Sequence, residues 1–167
     1  MDAILIYLAA GVIGISSGLR CFTAVAAVSV AAHFGWLDLS AGRLAFMSWT
    51  VTAVVFTVLA LGEYVGDKLP GMSDRTATPA LVARLISGVL AGASLASVAG
   101  ASVWIAALTG AMGSVVGAFG GYEARTRTVK SLGVKDIYVA IPEDVLAIVL
   151  AAFCIYVAAS FSGAGAA

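Results

Sequence analysis

Two carboxylates lie four residues apart in the most polar motif of the chain. The motif reads EYVGDKLPG and begins at Glu63, so Asp67 falls on the same face of a helix as Glu63. Two carboxylates this close repel each other unless a proton, a cation or an arginine joins them. They could therefore form a binding or relay site, or they could mark a helix end where Lys68 and solvent satisfy both acids.

Three arginines are candidate partners for these acids. Arg20 lies between two apolar runs, Arg75 follows the motif, and Arg84 lies one turn inside the helix that we expect after Pro79. Ionisable side chains in apolar segments are costly to bury and usually functional, but an arginine near a helix end can instead extend to the lipid headgroups. Both interpretations apply to Arg84, whereas Arg20 is harder to explain as an ordinary helix flank.

A second acidic pair follows the last proline. We expect Pro142 to begin a helix with Glu143 and Asp144 in its first turn, where the positive end of the helix dipole favours acids. The candidate binding or relay residues are therefore Arg20, Glu63, Asp67, Arg75, Arg84, Glu143 and Asp144.

No group of residues has the composition of a catalytic, cofactor or metal site. The two cysteines, Cys21 and Cys154, lie in separate apolar runs without a CxxC spacing, and His33 is the single histidine. We expect buried free thiols and, at His33, an interfacial residue within an aromatic belt. The sequence therefore favours a protein without catalytic residues, cofactors or bound metal.

The elements that must position these residues are apolar. Hydrophobic residues make up 62% of the chain and charged residues 11%, against roughly a quarter charged in soluble domains. Apolar stretches close to the roughly 17–25 residues of a bilayer crossing cover Ala3–Leu19, Cys21–Leu37, Ala45–Gly62, Ala80–Gly100, Ser102–Gly121 and Val139–Phe161. We predict an all-α polytopic membrane protein with five to six transmembrane or re-entrant helices, in one domain over residues 1–161 with a flexible Ser/Gly/Ala tail at 162–167.

The distribution of basic residues predicts an orientation. Lysines and arginines concentrate in residues 68–84 and 123–144, and a Lys and Arg excess marks the cytoplasmic side. Six crossings would place both segments and Arg20 in the cytoplasm and both termini outside. A continuous helix over residues 3–37 would be about 52 Å long, far beyond a hydrocarbon core of about 30 Å. We therefore expect a break near Arg20 or a re-entrant hairpin, and we favour the break. If residues 3–37 crossed only once, the N-terminus would be inside and Arg20 would lie within the membrane.

The remaining polar segments are expected to be connections. We expect residues 123–135 to form a basic cytoplasmic loop, with contact to anionic headgroups as the alternative. Residues 100–102 are expected to form a tight hairpin. The solvated loop charges are expected to be Asp2, Asp38, Arg43 and Asp136. The net charge of zero gives no reason to expect a nucleic-acid partner.

Glycines recur at helical spacing. Gly11, Gly14 and Gly18 recur as Gly110, Gly113 and Gly117 with an offset of 99, and the helix between them carries Gly88 and Gly92. Small residues four apart let membrane helices approach closely. We expect these glycines to pack helices together, and the echo is also consistent with a weak internal repeat.

The motifs GLRCF at 18–22, EYVGDKLPG at 63–71 with Arg75, and Ala83-Arg84 followed by Gly88 resemble a family of small bacterial membrane proteins, domain of unknown function 4126. The resemblance runs from about Leu5 to Ala158. It implies a multi-pass protein of the bacterial inner membrane and brings no established activity.

A fainter likeness is to undecaprenyl-diphosphate phosphatases. The segment PGMSDRT at 70–76 is similar to their PGxSR segment, and Ile15–Gly18 is similar to their serine-rich re-entrant turn. Asp74 is inserted before the arginine, the histidine expected after the serines is missing, and the chain is much shorter.

Three functions follow from these patterns. The first is a small transporter or channel-like protein whose charged cluster, at the cytoplasmic helix ends, binds an anion or a lipid headgroup or relays protons. The second is a non-catalytic structural or assembly subunit of a larger membrane complex, in which the cluster is an internal staple. The third is a lipid-diphosphate phosphatase-like enzyme. Membrane lipids and a homo-oligomer or a membrane-complex partner are the expected associations.

Overall fold

A computed structural model describes residues 2–40, 42–66 and 77–162 of the chain, and within these ranges it contains helices and no strand. A short 3-10 turn at Ala45–Ser48 accompanies the helices, which are α1 (Asp2–Leu19), α2 (Thr23–His33), α3 (Thr50–Gly66), α4 (Thr78–Val98), α5 (Val103–Leu132) and α6 (Asp136–Ser162). Helices α1, α4, α5 and α6 are long and apolar enough to cross a membrane. The predicted all-helical class is confirmed for the described residues, with four candidate membrane spans.

The favoured break near Arg20 is present. Helix α1 ends at Leu19, the amide of Arg20 still bonds to the carbonyl of Ser16, and α2 begins at Thr23. Helix α2 then turns back, because Thr23 at its start contacts Tyr64 near the end of α3 and His33 at its end contacts Ser48 before α3. With 11 residues, α2 is only about 16 Å long and is shorter than a bilayer crossing.

Consecutive helices alternate in direction. Ser16 of α1 donates to the carbonyl of Ala147 in α6 at 2.7 Å, and Tyr7 near the start of α1 accepts from the amide of Ser102 before α5 at 3.1 Å. The start of α1 therefore lies beside the end of α4, and the end of α1 lies beside the middle of α6. It follows that the first residues of α1 and the last residues of α6 lie at the same end of the bundle. We call the opposite end, which carries the Arg20 break, the charged end.

Helices α1, α4 and α5 pack through their glycines. A Cβ atom built at Gly14 would come within 3 Å of the backbone of Gly110, and one built at Gly113 would come that close to the backbone of Gly11. Gly88 of α4 meets Gly110 in the same way. The two glycine sets of equal spacing, on α1 and on α5, thus face each other on parallel helices. An in-register contact between parallel helices requires equal spacing, so helix packing alone accounts for the repeated glycine pattern.

Two expectations about helix ends are wrong. Residues 123–135 do not form a loop, because α5 continues to Leu132 and ends at Gly133, whose φ of 63° is a left-handed cap. This stretch is rich in helix-forming residues, and Glu123 pairs with Arg127 one turn later at 2.6 Å. Pro142 does not begin a helix either.

Helix α6 starts six residues before that proline, at Asp136, and Pro142 lies inside it. The acid at the positive end of the helix dipole is therefore Asp136. Proline six residues into a helix removes one internal hydrogen bond, and the residue is exposed. The expectation that Asp136 is a solvated loop charge is wrong for the same reason.

The third apolar run is also divided. Its first residues form the 3-10 turn, Trp49 is extended with φ −70° and ψ 139°, and α3 starts at Thr50 and continues past the run to Gly66. At the other end of the chain α6 extends to Ser162, and residues 163–167 of the predicted tail lie outside the described residues.

In the loop after α2, the hydroxyl and amide of Ser40 donate to Asp38 and lower the pKa of that exposed carboxyl.

We predict that Gly110→Ala destabilises the protein. The added Cβ would meet the carbonyl of Gly88 across the helix contact, and overpacking of this kind costs about 1–3 kcal/mol. Gly120→Ala on the same helix is the matched control, since a Cβ there meets nothing within 4 Å; it should be neutral or stabilising by about 0.5–1 kcal/mol. Thermal unfolding in detergent measures both, and equal melting temperatures would contradict the close contact.

We predict that tags placed before α1 and after α6 report the same side of the membrane, the periplasm. The two ends lie together in the bundle, and the exposed Arg127, Lys130 and Lys135 lie at the opposite end. A reporter inserted at Gly133 should report the cytoplasm. Compartment-sensitive fusions in cells provide the measurement, and termini on opposite sides would show that the helices do not cross in the order of their packing.

Candidate functional site

The break between α1 and α2 leaves backbone polar groups that need partners. The last carbonyls of α1 and the first amides of α2 have no partner within their own helices. Water cannot satisfy such groups in the apolar part of a bilayer, where each unsatisfied group costs several kcal/mol. The charged end of the bundle is built around these groups.

Glu63 of α3 binds the two backbone amides that directly precede α2. One oxygen of its carboxylate accepts from the amide of Cys21 at 2.7 Å and the other accepts from the amide of Phe22 at 2.9 Å. Phe22 occupies the N-cap position and offers no side-chain hydrogen bond of its own. The carboxylate therefore caps α2 from a different helix, with its negative charge at the positive end of the α2 dipole.

Arg84 of α4 binds the free carbonyls of α1. Its Nη1 donates to the carbonyls of Gly18 at 2.5 Å and Leu19 at 3.0 Å, and its Nη2 lies 3.5 Å from Oε1 of Glu63. The side chain is 5% exposed. Its positive charge thus lies at the negative end of α1, and the predicted proximity of Arg84 to Glu63 is present.

Arg20 lies in the break itself and is fully buried. Its Nη2 pairs with Oδ1 of Asp144 from α6, and its guanidinium lies 5.6 Å from the centre of the Tyr64 ring. The Tyr64 hydroxyl is 2.7 Å from that of Thr23, the first residue of α2. We call Arg20, Glu63, Arg84 and Asp144 the break cluster; it joins four separate parts of the chain.

A second ion-pair group lies farther out at the charged end. Arg125 of α5 pairs with Asp136 at the start of α6, and its Nη1 lies 3.4 Å from Oε2 of Glu143, the residue directly before Asp144. Sequence reasoning missed Arg125, because its segment was expected to be a loop. A helical interpretation of residues 123–132 would have placed Arg125 opposite the acids of the following helix.

Two of the seven candidate residues, Asp67 and Arg75, lie outside the described residues, and their proposed roles remain predictions. The structure brings together Arg20, Glu63, Arg84 and Asp144, and it places Glu143 in the second group. Tyr64 and Thr23, which sequence reasoning did not single out, complete the wall beside Arg20. In the described part of the chain, no three His, Cys, Asp or Glu side chains converge in a way that could hold a metal ion.

Comparison with known proteins decides the family. Residues 6–164 match the model described as Domain of unknown function (DUF4126). The chain belongs to this family. No curated protein and no solved structure matches the chain.

The segment at 70–76 that is similar to the phosphatases lies outside the described residues. Ser16 and Ser17, the serines of the other similar segment, are fully buried. Ser16 donates to a carbonyl of α6 and Ser17 lies 3.2 Å from the hydroxyl of Ser87, so both hydroxyls serve helix packing.

We predict that Arg84→Ala strongly destabilises this DUF4126 protein. The change leaves Glu63 buried without its cation and removes the donor to two α1 carbonyls, and breaking a buried pair costs about 3–5 kcal/mol. Arg84→Lys should restore only part of the loss, because an ammonium lacks the forked donor geometry. Unfolding in detergent measures both variants.

Arg127→Ala is the control for that experiment. Arg127 also pairs with a glutamate, but its side chain is 78% exposed, and such pairs contribute about 0.3–0.5 kcal/mol. A loss for Arg84→Ala as small as that for Arg127→Ala would show that the break cluster is not a buried staple.

Proposed function

We propose that this protein is a small transporter or channel-like protein for anions, in which the carboxylate of Glu63 occupies the anion site. The proposal rests on the hydrogen-bond donors that surround this carboxylate. Two backbone amides at a helix start and a buried guanidinium bind it, and this set of donors suits any small anion.

The location of the site at a helix break supports a transport role. In membrane transporters, interrupted helices direct their amide ends at anionic groups of the substrate. Here the interrupted pair is α1 and α2, and the anion already bound belongs to the protein itself. A small anion that displaced Glu63 would meet the same amides and the same arginine.

Glu63 is carried by the least enclosed of the helices beside the break. Helix α3 packs against α2 and the 3-10 turn, and among its 17 residues only Ala53 and Ala60 are buried. A tilt of α3 would withdraw the carboxylate without separating α1, α4 and α5, which the glycine contacts hold together. Glu63 would then act as a tethered gate.

The charged end is proposed to face the cytoplasm of a bacterial cell, with the protein in the inner membrane. The exposed basic residues of this end, Arg127, Lys130 and Lys135, support that orientation through the Lys and Arg excess of cytoplasmic segments. An anion leaving the cytoplasm would therefore reach the break cluster first.

The second candidate is a non-catalytic subunit in which the break cluster is only a staple. It is favoured by how completely the chain satisfies its own groups, because Glu63 and Arg84 each bond to two backbone groups of the break. A staple needs no ligand and no movement of α3. Purification in mild detergent separates the two, since a subunit brings foreign membrane proteins with it.

We predict that Glu63→Gln increases anion flux at least about fivefold, roughly 1 kcal/mol of barrier. Glutamine keeps the size of the side chain but has no charge, and its amide nitrogen cannot accept from a backbone amide. The variant should therefore leave the site open to chloride or nitrate. Proteoliposomes loaded with either salt and read by an anion-sensitive dye provide the measurement.

Glu123→Gln is the matched control, because Glu123 is an exposed glutamate paired with an arginine on α5. Its flux should equal that of the wild type, and liposomes without protein set the background. Flux at background level for a correctly folded Glu63→Gln would refute the gate and leave the staple.

A further inference from the structure

A groove separates α3 from α6 within the apolar part of the bundle. It has a volume of about 280 Å³ and its floor is α2, with Ala26, Ala27 and Val30 along it. Thr57, Ala60 and Leu61 of α3 form one wall, and Ile148 and Ala152 of α6 form the other. The groove shares no lining residue with the amides and the arginine that bind Glu63. Its end nearest the charged end of the bundle is formed by Thr23 and Tyr64.

The lining offers water few polar partners. A buried water needs two to four, the hydroxyls of Thr23 and Tyr64 already bond to each other at 2.7 Å, and the lining adds one further hydroxyl, that of Thr57. Alanines line much of the remainder. An empty groove would forfeit the dispersion contacts of every side chain along it.

The groove is short compared with a transmembrane helix. From Thr23 to Val30 it follows α2 for seven residues, about 10 Å, whereas a helix that crosses the bilayer is about 30 Å long. A helix of another protein would therefore contact the groove along only about a third of its length. A single hydrocarbon chain is the slender apolar group that a bilayer supplies in quantity.

The groove is continuous with the surface that faces the bilayer. Leu61 and Ile148 on its two rims are 59% and 50% exposed. Along α3, the exposed large apolar residues beyond the rim are Val51, Val54, Val55, Val58, Leu59 and Val65. A chain can therefore enter sideways from the lipid without opening the bundle.

We propose that this groove binds one acyl chain of a membrane phospholipid. The chain would lie between α3 and α6 along the alanine floor, with the glycerol and headgroup beyond Tyr64 at the charged end. Tyr64 closes the polar end of the groove through its contact with Thr23.

The test is native mass spectrometry of the full chain purified in mild detergent. We expect the wild type to retain one phospholipid. Ala152→Phe, which fills the groove from α6, should reduce the retained fraction at least tenfold. Val149→Phe on the same helix is the control, because Val149 is 55% exposed and lies outside the groove, so it should retain the lipid as the wild type does.

Each other outcome would overturn the proposal. Equal retention by all three proteins would place the lipid elsewhere, and a wild type without lipid would leave the groove unoccupied. A retained free fatty acid would contradict the phospholipid. If Ala152→Phe does not fold, Ala27→Leu on the floor of the groove replaces it, with the same expected loss.

Discussion

The structure depends on one constraint, which is that a helix interrupted inside a membrane must find partners for the backbone groups that the interruption exposes. In this chain α1 stops at Leu19 and α2 starts at Thr23. The carbonyls on one side of the break bind Arg84 and the amides on the other bind Glu63. Two opposite charges thus neutralise two opposite helix dipoles and each other. The other elements are arranged so that α3 and α4 can deliver these side chains.

This arrangement explains why so apolar a protein keeps buried charges. A buried ion pair alone is weak evidence for stability, because desolvation offsets much of the attraction. Here each charge also binds backbone groups that would otherwise have no partner, so removing the pair would leave the break unsatisfied. Arg20 is different, since it pairs with Asp144 of α6 and lies against Tyr64. It links the break to the last helix of the chain.

The sequence predicted the features that depend on local chemistry. Apolar runs marked the helical membrane class, and the location of Arg20 between two short runs marked the break. Helix spacing and loop length placed Arg84 near Glu63. The errors arose where tertiary packing or cooperative helix growth decides the outcome. Helix α5 continues to Leu132 because its polar residues also form helices well, and Pro142 lies inside α6 because that helix starts earlier, at Asp136. No local pattern could reveal that Glu63 binds amides rather than a ligand or solvent, because that contact joins residues about 40 positions apart.

The glycine contacts between α1 and α5 have a consequence for how the protein is made. A ribosome synthesises α1 about a hundred residues before the stripe at Gly110–Gly117 that it packs against. Until α4 and α5 have entered the bilayer, the small-residue face of α1 contacts lipid and the carbonyls at its end lack Arg84. Newly inserted α1 therefore lacks the helix contacts of its glycine face and the arginine that binds its last carbonyls until the later helices are inserted. Assembly of the core is in this sense a late event, because it requires α5 for the glycine contacts and then α6 for the carboxylate that pairs with Arg20.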